Sequence, residues 1–376
     1  MSRLSKPLLD DFDRIRKIDK SDMLSFCIEA ARHYRYAADL SGKIKIKYRR
    51  PKTIIVAGMG GSAIGGELLK DWAKDSIKTP IEVCRDYDLP AYADENTLVF
   101  ATSYSGETEE TLSVFLEALK RKCMTITISS GGTLQRFAQE LDVPHLLVPS
   151  GMAPRATLPY LFIPLPRILQ KIGIAPSMQK EYSETVRILK QIGEENSSEI
   201  PSACNPSKIL ATEIQGTIPT IYGFGFYRAV AQRFKTQINE NSKNPAKWEY
   251  LPELNHNEIV GWEEAKEFAR YFSVIFIRDK EEPKEIKLRI EVSKELISRT
   301  LTRLFEVWSK GNSKLARMAS VICTGDFTSV YLAVLRGIDP TPVKSIDFLK
   351  SRLVETGVRQ KTIKGLEQFL KEHRAR

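Results

Sequence analysis

The sequence predicts an α/β fold: two domains, each a flavodoxin-like parallel sheet flanked by helices. Three observations carry this. From Thr53 onward, short β-branched runs take turns with helical patterns, the signature of a parallel sheet covered on both faces. Turns rich in glycine or hydroxyls follow two of these runs, at the strand ends where such sheets bind ligands. Finally, the stretch 217–235, "TIPTIYGFGFYRAVAQRFK", echoes 53–70, "TIIVAGMGGSAIGGELLK". A chain of 376 residues also fits two domains better than one core.

The elements follow in order. From about Leu8 to Tyr48 the chain reads as helical, with Ser21 and Asp22 as helix caps. "TIIVA" (53–57) is a strand ending in glycines, and Ile64, Leu68 and Trp72 mark the next helix. "IEVC" (81–84) and "TLVFAT" (97–102) are strands. "SYSGETEETL" (103–112) leads into a helix with apolar residues at Leu112, Phe115, Leu116 and Leu119, one helical face. "MTITI" (124–128), "TLQRFAQE" and "HLLVP" (145–149) complete five strands. The polar stretch "GEENSSEIPSACNPS" then leads to a second module, in which "FSVIFIRD" (272–279) takes the place of "TLVFAT" but is followed by "KEEPKEIK". The expected division is a helical segment 1–45, a first domain 46–175 with the ligand loop, and a second domain 201–376 with a C-terminal helix.

Composition narrows the function classes. Hydrophobic content of 42% is ordinary for a soluble globular protein. No apolar run reads as a membrane span and the start is too charged for a secretory signal, so the expectation is a cytoplasmic protein with no membrane partner. The net charge of +10 is spread along the chain. The stretch from Lys344 to Arg376 holds nine Lys or Arg against four Asp or Glu, which reads as a solvated basic helix and not a nucleic-acid arm. Five scattered cysteines form no CxxC pair, and no metal-ligand cluster is visible. Reduced, mostly buried thiols are expected, with neither metal nor cofactor.

The loop after "TLVFAT" carries the chemistry. A helix N-terminus leaves backbone N–H groups unpaired beside the positive end of the helix dipole. Short hydroxyls add donors without bulk, and Gly106 allows a tight turn. Ser103, Ser105 and Thr108, with Tyr104 between them, therefore read as a phosphate cradle. Simple N-capping by Ser105 accounts for one or two of these hydroxyls, not three. "GMGGSAIGG" begins like a dinucleotide fingerprint, Gly58 and Gly60 and then Ala63, but a ribose-binding acid is uncertain and no Walker lysine is present. A sugar phosphate ranks above a nucleotide. Gly60, Gly61 and Ser62 stand at the first strand's carboxyl end, where backbone can approach a substrate or simply turn tightly.

Taken together, "GMGGS", "SYSGETEETL", "APRATLP", "INENSKN", "LNHNEIVGW" and "IDFLKSRL" resemble the bifunctional phosphoglucose/phosphomannose isomerases of the sugar isomerase (SIS) domain superfamily. The resemblance runs from about Lys52 to Leu353. "SYSGET" alone marks only the superfamily, and "APR", "NEN" and "NHN" in this order are more specific. The resemblance implies two SIS domains and a homodimer with the active site at domain and subunit boundaries. It implies that Glu240 shuttles a proton between C1 and C2 through a cis-enediol. His256 would be the ring-opening acid/base, contributed by the partner subunit. Lys350 would assist ring opening, and Arg155 would steady the enediolate. Taken alone, Glu240 and Lys350 would read as solvated charges, His256 as a loop histidine satisfied by its asparagine neighbours, and Arg155 equally as half of an ion pair. Glu107 stands where the family often has Asn, and it suits a phosphate only if it points away.

Mechanism adds that glucose 6-phosphate and mannose 6-phosphate give the same enediol once the C2 proton leaves. Two other readings are weighed. An aminosugar-phosphate isomerase of the synthase type needs a glutaminase domain with a nucleophilic cysteine, and position 2 is Ser2. A sugar-phosphate-sensing SIS regulator needs a helix-turn-helix, and the N-terminal helices lack its pattern.

Overall fold

The β-branched runs become strands with nearly the predicted bounds. In the computed structural model, which describes residues 7–375, the chain divides into two units, each built on one parallel sheet.

The first sheet holds β1 (Thr53–Ala57), β2 (Ile81–Cys84), β3 (Thr97–Thr102), β4 (Met124–Ser129) and β5 (His145–Leu147). Their order is β2-β1-β3-β4-β5, all parallel, as a flavodoxin-like sheet requires. β3 and β4 are buried at every position, because helices cover both faces. One apolar layer joins Ile55, Val99, Val114 and Ala118. Another joins Leu112, Phe115, Leu134 and Phe137 to Leu366 and Leu370 of the final helix, Val358–Arg374. That packing moves a boundary. The C-terminal residues, expected with the second domain, belong to the unit of the first sheet, His33–Met178 with Val343–Arg376.

The edge of this sheet carries a titratable group. The His145 imidazole Nδ1 lies 2.8 Å from Thr127 Oγ1, and burial pushes its pKa down to about 4. A free histidine titrates near ~6.5, so the unfolded chain takes up this proton first on acidification. The stabilisation is complete above about pH 6.5 and is lost as pH falls toward about 4. His145→Gln is expected to flatten the fall in urea midpoint between about pH 7 and pH 5. An unchanged fall would mean the imidazole titrates as freely in the fold as outside it.

The second sheet holds β6 (Ile218–Phe224), β7 (Lys247–Leu251), β8 (Phe272–Arg278) and β9 (Leu304–Trp308). Its order, β7-β6-β8-β9, repeats the first sheet without the last strand. Its unit joins Gln179–Pro342 to the described residues up to Arg32. The helix Lys314–Leu335 is its core, with seventeen positions from Leu315 to Val334 buried. It is long and apolar enough to cross a membrane, contrary to the sequence reading, but its apolar surface is taken up inside this unit. Against it packs the helix Met23–Ile28 through Leu24 and Cys27. The cap of that short helix differs from expectation. Asp22 sits at the N-cap in a left-handed conformation with no side-chain cap bond, and Asp19 instead accepts the Met23 and Leu24 amides at 2.8 and 2.9 Å. Burial raises the Asp19 pKa against those two bonds. The cysteines are all free, four buried and Cys204 exposed.

Candidate active site

β1 and β3 are neighbours whose following helices leave in different directions, the topological switch point of such a sheet. Their two loops diverge there. Thr102 Oγ1 donates to Ala57 O at 2.8 Å, pinning the ends together. A Cβ on Gly58 would lie 2.7 Å from Thr102 O, so only glycine fits this approach. Gly60 is the N-cap of the helix Gly61–Ala73 and has φ +50°. Ser62 is buried in the first turn, its amide bonded to Met59 O at 2.9 Å.

The third piece arrives from the segment after β5. A Cβ on Gly61 would stand 3.2 Å from Pro154 O and 3.7 Å from Arg155 Cα. Arg155 is in a single 3-10 turn, Pro154–Ala156, and is only 2% exposed. Pro154 opens its turn and Pro159 is the second residue of the helix Leu158–Phe162, in the first turn where a proline costs no intrahelical bond. Tyr104, buried, accepts the Met152 amide on its hydroxyl at 2.9 Å and so ties this segment to the hydroxyl loop. The structure thus brings together Gly60, Gly61, Ser62, the loop 103–108 and the backbone of Arg155.

Within the hydroxyl loop the residues divide their work. Ser103 is 1% exposed; its Oγ accepts the Gly106 amide at 3.1 Å and lies 2.8 Å from Thr108 Oγ1. It shapes the loop from inside. Ser105 is exposed and Thr108 half-buried. Thr108, not Ser105, is the N-cap of the helix Glu109–Lys120, and it makes no side-chain cap bond. The first-turn amides of that helix therefore keep the open donors that an anion needs. Gly106, at φ +71°, is locked in place: a Cβ there would fall 1.9 Å from Gly131 O. The carboxylates beside the loop are turned away from it. Glu107 accepts the Thr133 amide at 2.7 Å and pairs with Arg359. Glu109 accepts the Tyr87 hydroxyl, whose pKa is raised by that bond and by burial.

At the equivalent switch point of the second sheet, between β6 and β8, the buried Arg278 at the end of β8 is bonded to Glu282 at 2.5 Å, Glu291 at 2.8 Å and Glu306. Beside it Asp279 accepts the Tyr227 hydroxyl and is 3.1 Å from Arg317. Here the charged side chains pair with one another, and the segment after β8 lacks the hydroxyl run of 103–108.

Glu240 lies near the end of the helix Arg228–Ser242, half-buried. Its neighbours fix that end: Asn239 Nδ2 donates to Asn244 O and Asn241 Nδ2 to Ser329 Oγ, both at 2.8 Å. Lys243, left-handed at φ +49°, donates to Asp339 O and Pro340 O at 3.0 and 2.7 Å. His256 is exposed at the end of a 3-10 turn, Glu253–His256, just after β7. Asn255 bonds Ser293 and Asn257 bonds Glu253, at 2.8 and 2.9 Å, so the asparagines hold the turn and leave the imidazole outward. The alternative of a histidine satisfied by those asparagines does not hold.

Glu240 and His256 are carried by different elements of this unit. Phe224 pairs with Leu251 at the carboxyl edge of the second sheet, where His256 follows. The helix bearing Glu240 starts at that same edge and runs back, so its rise carries Glu240 about 18 Å away. Lys350 is exposed on the helix Lys344–Leu353, which buries no residue. Among the described residues no three His, Cys, Asp or Glu side chains come together in a metal-binding group. Sequence reasoning missed Thr102, Thr133 and Arg359; Arg359 lies 252 positions from Glu107 and in no motif.

Similarity to known proteins agrees with this architecture. Residues 47–146 match the SIS domain, and residues 203–353 match the bacterial phospho-glucose isomerase C-terminal SIS domain. The chain is 42% identical over 313 residues to the bifunctional phosphoglucose/phosphomannose isomerase of Caldicellulosiruptor bescii, across 83% of this chain and 92% of that one. With the enzyme of the same name from Aquifex aeolicus, identity is 36% over 307 residues, across 80% and 90%. A crystal structure of a hypothetical protein from Thermus thermophilus shares the fold, with a TM-score of 0.72 at 14% identity over 93% of this chain and 94% of that one. On the extent and identity of these matches, the chain belongs to the bifunctional phosphoglucose/phosphomannose isomerase family.

Proposed function

We propose that this protein interconverts glucose 6-phosphate or mannose 6-phosphate with fructose 6-phosphate through a cis-enediol. The observation that carries the reading is the meeting of the glycine loop, the hydroxyl loop and the Arg155 segment at one switch point, in a chain of this family. Ser105, Thr108 and the first-turn amides of Glu109–Lys120 hold the phosphoryl group, with Ser103 and Tyr104 keeping the loop in shape and Gly60, Gly61 and Ser62 beside the sugar. His256 opens the ring with help from Lys350. Glu240 then moves the proton between C1 and C2, and Arg155 steadies the enediolate charge. Both aldoses lose their only difference when the C2 proton leaves. C1 is reduced as C2 is oxidised within the same substrate, with no net change, so the route calls for no external oxidant or reductant.

The reading includes a homodimer in which His256 of the partner subunit completes each site. Its support is their placement within one unit: His256 follows the carboxyl end of β7, while Glu240 stands near the far end of a helix that begins at that edge. The exposed Ile346, Phe348 and Leu349 of the helix Lys344–Leu353 add apolar surface suited to a second copy. The test is a coupled assay from fructose 6-phosphate, following glucose 6-phosphate and mannose 6-phosphate separately. Both products are expected at comparable rates. Formation of neither would overturn the reading, and formation of one alone would restrict it to a single sugar.

A further inference from the structure

Glu107 puts a negative charge inside a loop that is read above as holding a phosphoryl dianion, and the structure shows how that charge is managed. Its Oε1 accepts the Thr133 amide at 2.7 Å and its Oε2 accepts Thr133 Oγ1 at 2.9 Å. The guanidinium of Arg359 closes the cluster. Arg359 is in the first turn of the helix Val358–Arg374, and that helix is firmly seated. Leu366 and Leu370 enter the core between the two helices that follow β3 and β4. A Cβ on Gly365 would lie 2.6 Å from Leu116 Cδ2, so the two helices touch closely. The loop itself is fastened on the same side: Gly106 O accepts the Leu134 amide at 3.0 Å, and Tyr104 O accepts Ser130 Oγ at 2.7 Å.

We propose that Arg359 is a positioning residue for the hydroxyl loop: it holds the Glu107 carboxylate against Thr133 and neutralises it, so that the loop can accept a sugar phosphoryl group. The proposal rests on the phosphate reading of Ser105 and Thr108. The pair is about two-fifths exposed on each side, and an ion pair so open adds little to global stability. Its effect belongs to the loop. Without Arg359, the Glu107 carboxylate stands next to Thr108 and two residues from Ser105 with no guanidinium against it, where it repels a dianion.

The experiment measures the Ki of inorganic phosphate and the kcat and KM for fructose 6-phosphate in Arg359→Met, Glu107→Asn and the double variant. Arg359→Met is expected to raise Ki and KM about tenfold with kcat within about twofold, the effect shrinking at high salt. Arg359→Lys should recover part of the loss, since it keeps the charge without the fork. Glu107→Asn should change little, and adding Arg359→Met to it should change nothing more, because the charge to be neutralised is gone. An unaltered Ki in Arg359→Met overturns the proposal. So does an equal loss in the Glu107→Asn background, which would make Arg359 a direct phosphate ligand. A fall in kcat that follows KM would make its role general to the fold. Ser105→Ala with Thr108→Val serves as the separate arm: phosphate binding as tight as wild type there refutes the loop reading, and any Arg359 effect then belongs to another anion site.

Discussion

Glu240→Gln is expected to lower kcat for both sugar phosphates by about 10²–10⁴-fold while KM stays near its wild-type value, the usual scale for removing a positioned general base. The substitution is close to isosteric. It leaves the bonds that fix the helix end, from Asn239 to Asn244 and from Asn241 to Ser329, untouched. An amide in the same place keeps the shape of the site but cannot take the C2 proton. The phosphoryl contacts, on other elements of the chain, remain, so affinity should persist. A second readout separates loss of the base from a disturbed fold. Incubating fructose 6-phosphate in deuterated water with wild type should put deuterium on carbon, and the variant should not. Turnover within about tenfold of wild type would remove Glu240 from the proton transfer.

The elements that could be read from the sequence are those whose pattern is local. "TIIVA" and "TLVFAT" gave β1 and β3 because buried central parallel strands are unbroken apolar runs bounded by turn residues. β7, "KWEYL", and β9, "LFEVW", passed unnoticed. Both are edge strands with a half-exposed pattern and charges inside them, so neither shows the continuous run of a central strand. The final helix shows the same limit in another form. Ile363, Leu366, Phe369 and Leu370 mark an apolar face, but a face does not say which sheet it covers, and nearness in the chain pointed to the wrong one. At the site, the glycine and hydroxyl loops were legible because their composition is itself the chemistry. The split between Ser103 inside the loop and Ser105 outside it was not, since identical side chains differ only by burial. The tie from Glu107 to Arg359 was beyond reach for a plainer reason: an ion pair spanning 252 positions leaves no mark on either neighbourhood.

His256→Ala and Glu240→Gln homodimers are each expected to be nearly inactive, by about 10²–10⁴-fold in kcat, and yet to restore activity to one another when mixed. In a two-fold dimer whose sites each take Glu240 from one chain and His256 of the partner subunit, the mixed dimer has one site with both defects and one with neither. Random reassortment makes half the dimers mixed, so activity should recover to about a quarter of wild type per chain in the mixture and about half in the purified mixed dimer. The exposure of His256 and the fixed turn of Asn255 and Asn257 make this a mild substitution for folding. Chains can be exchanged by mild denaturation or by co-expression with distinct affinity tags, and the mixed species purified before assay. If purified mixed dimers stay inactive, the two residues do not meet across a subunit boundary. With each homodimer impaired and the mixture still inactive, Glu240 and His256 would act in a site built from one chain, and the shared-site reading would be overturned.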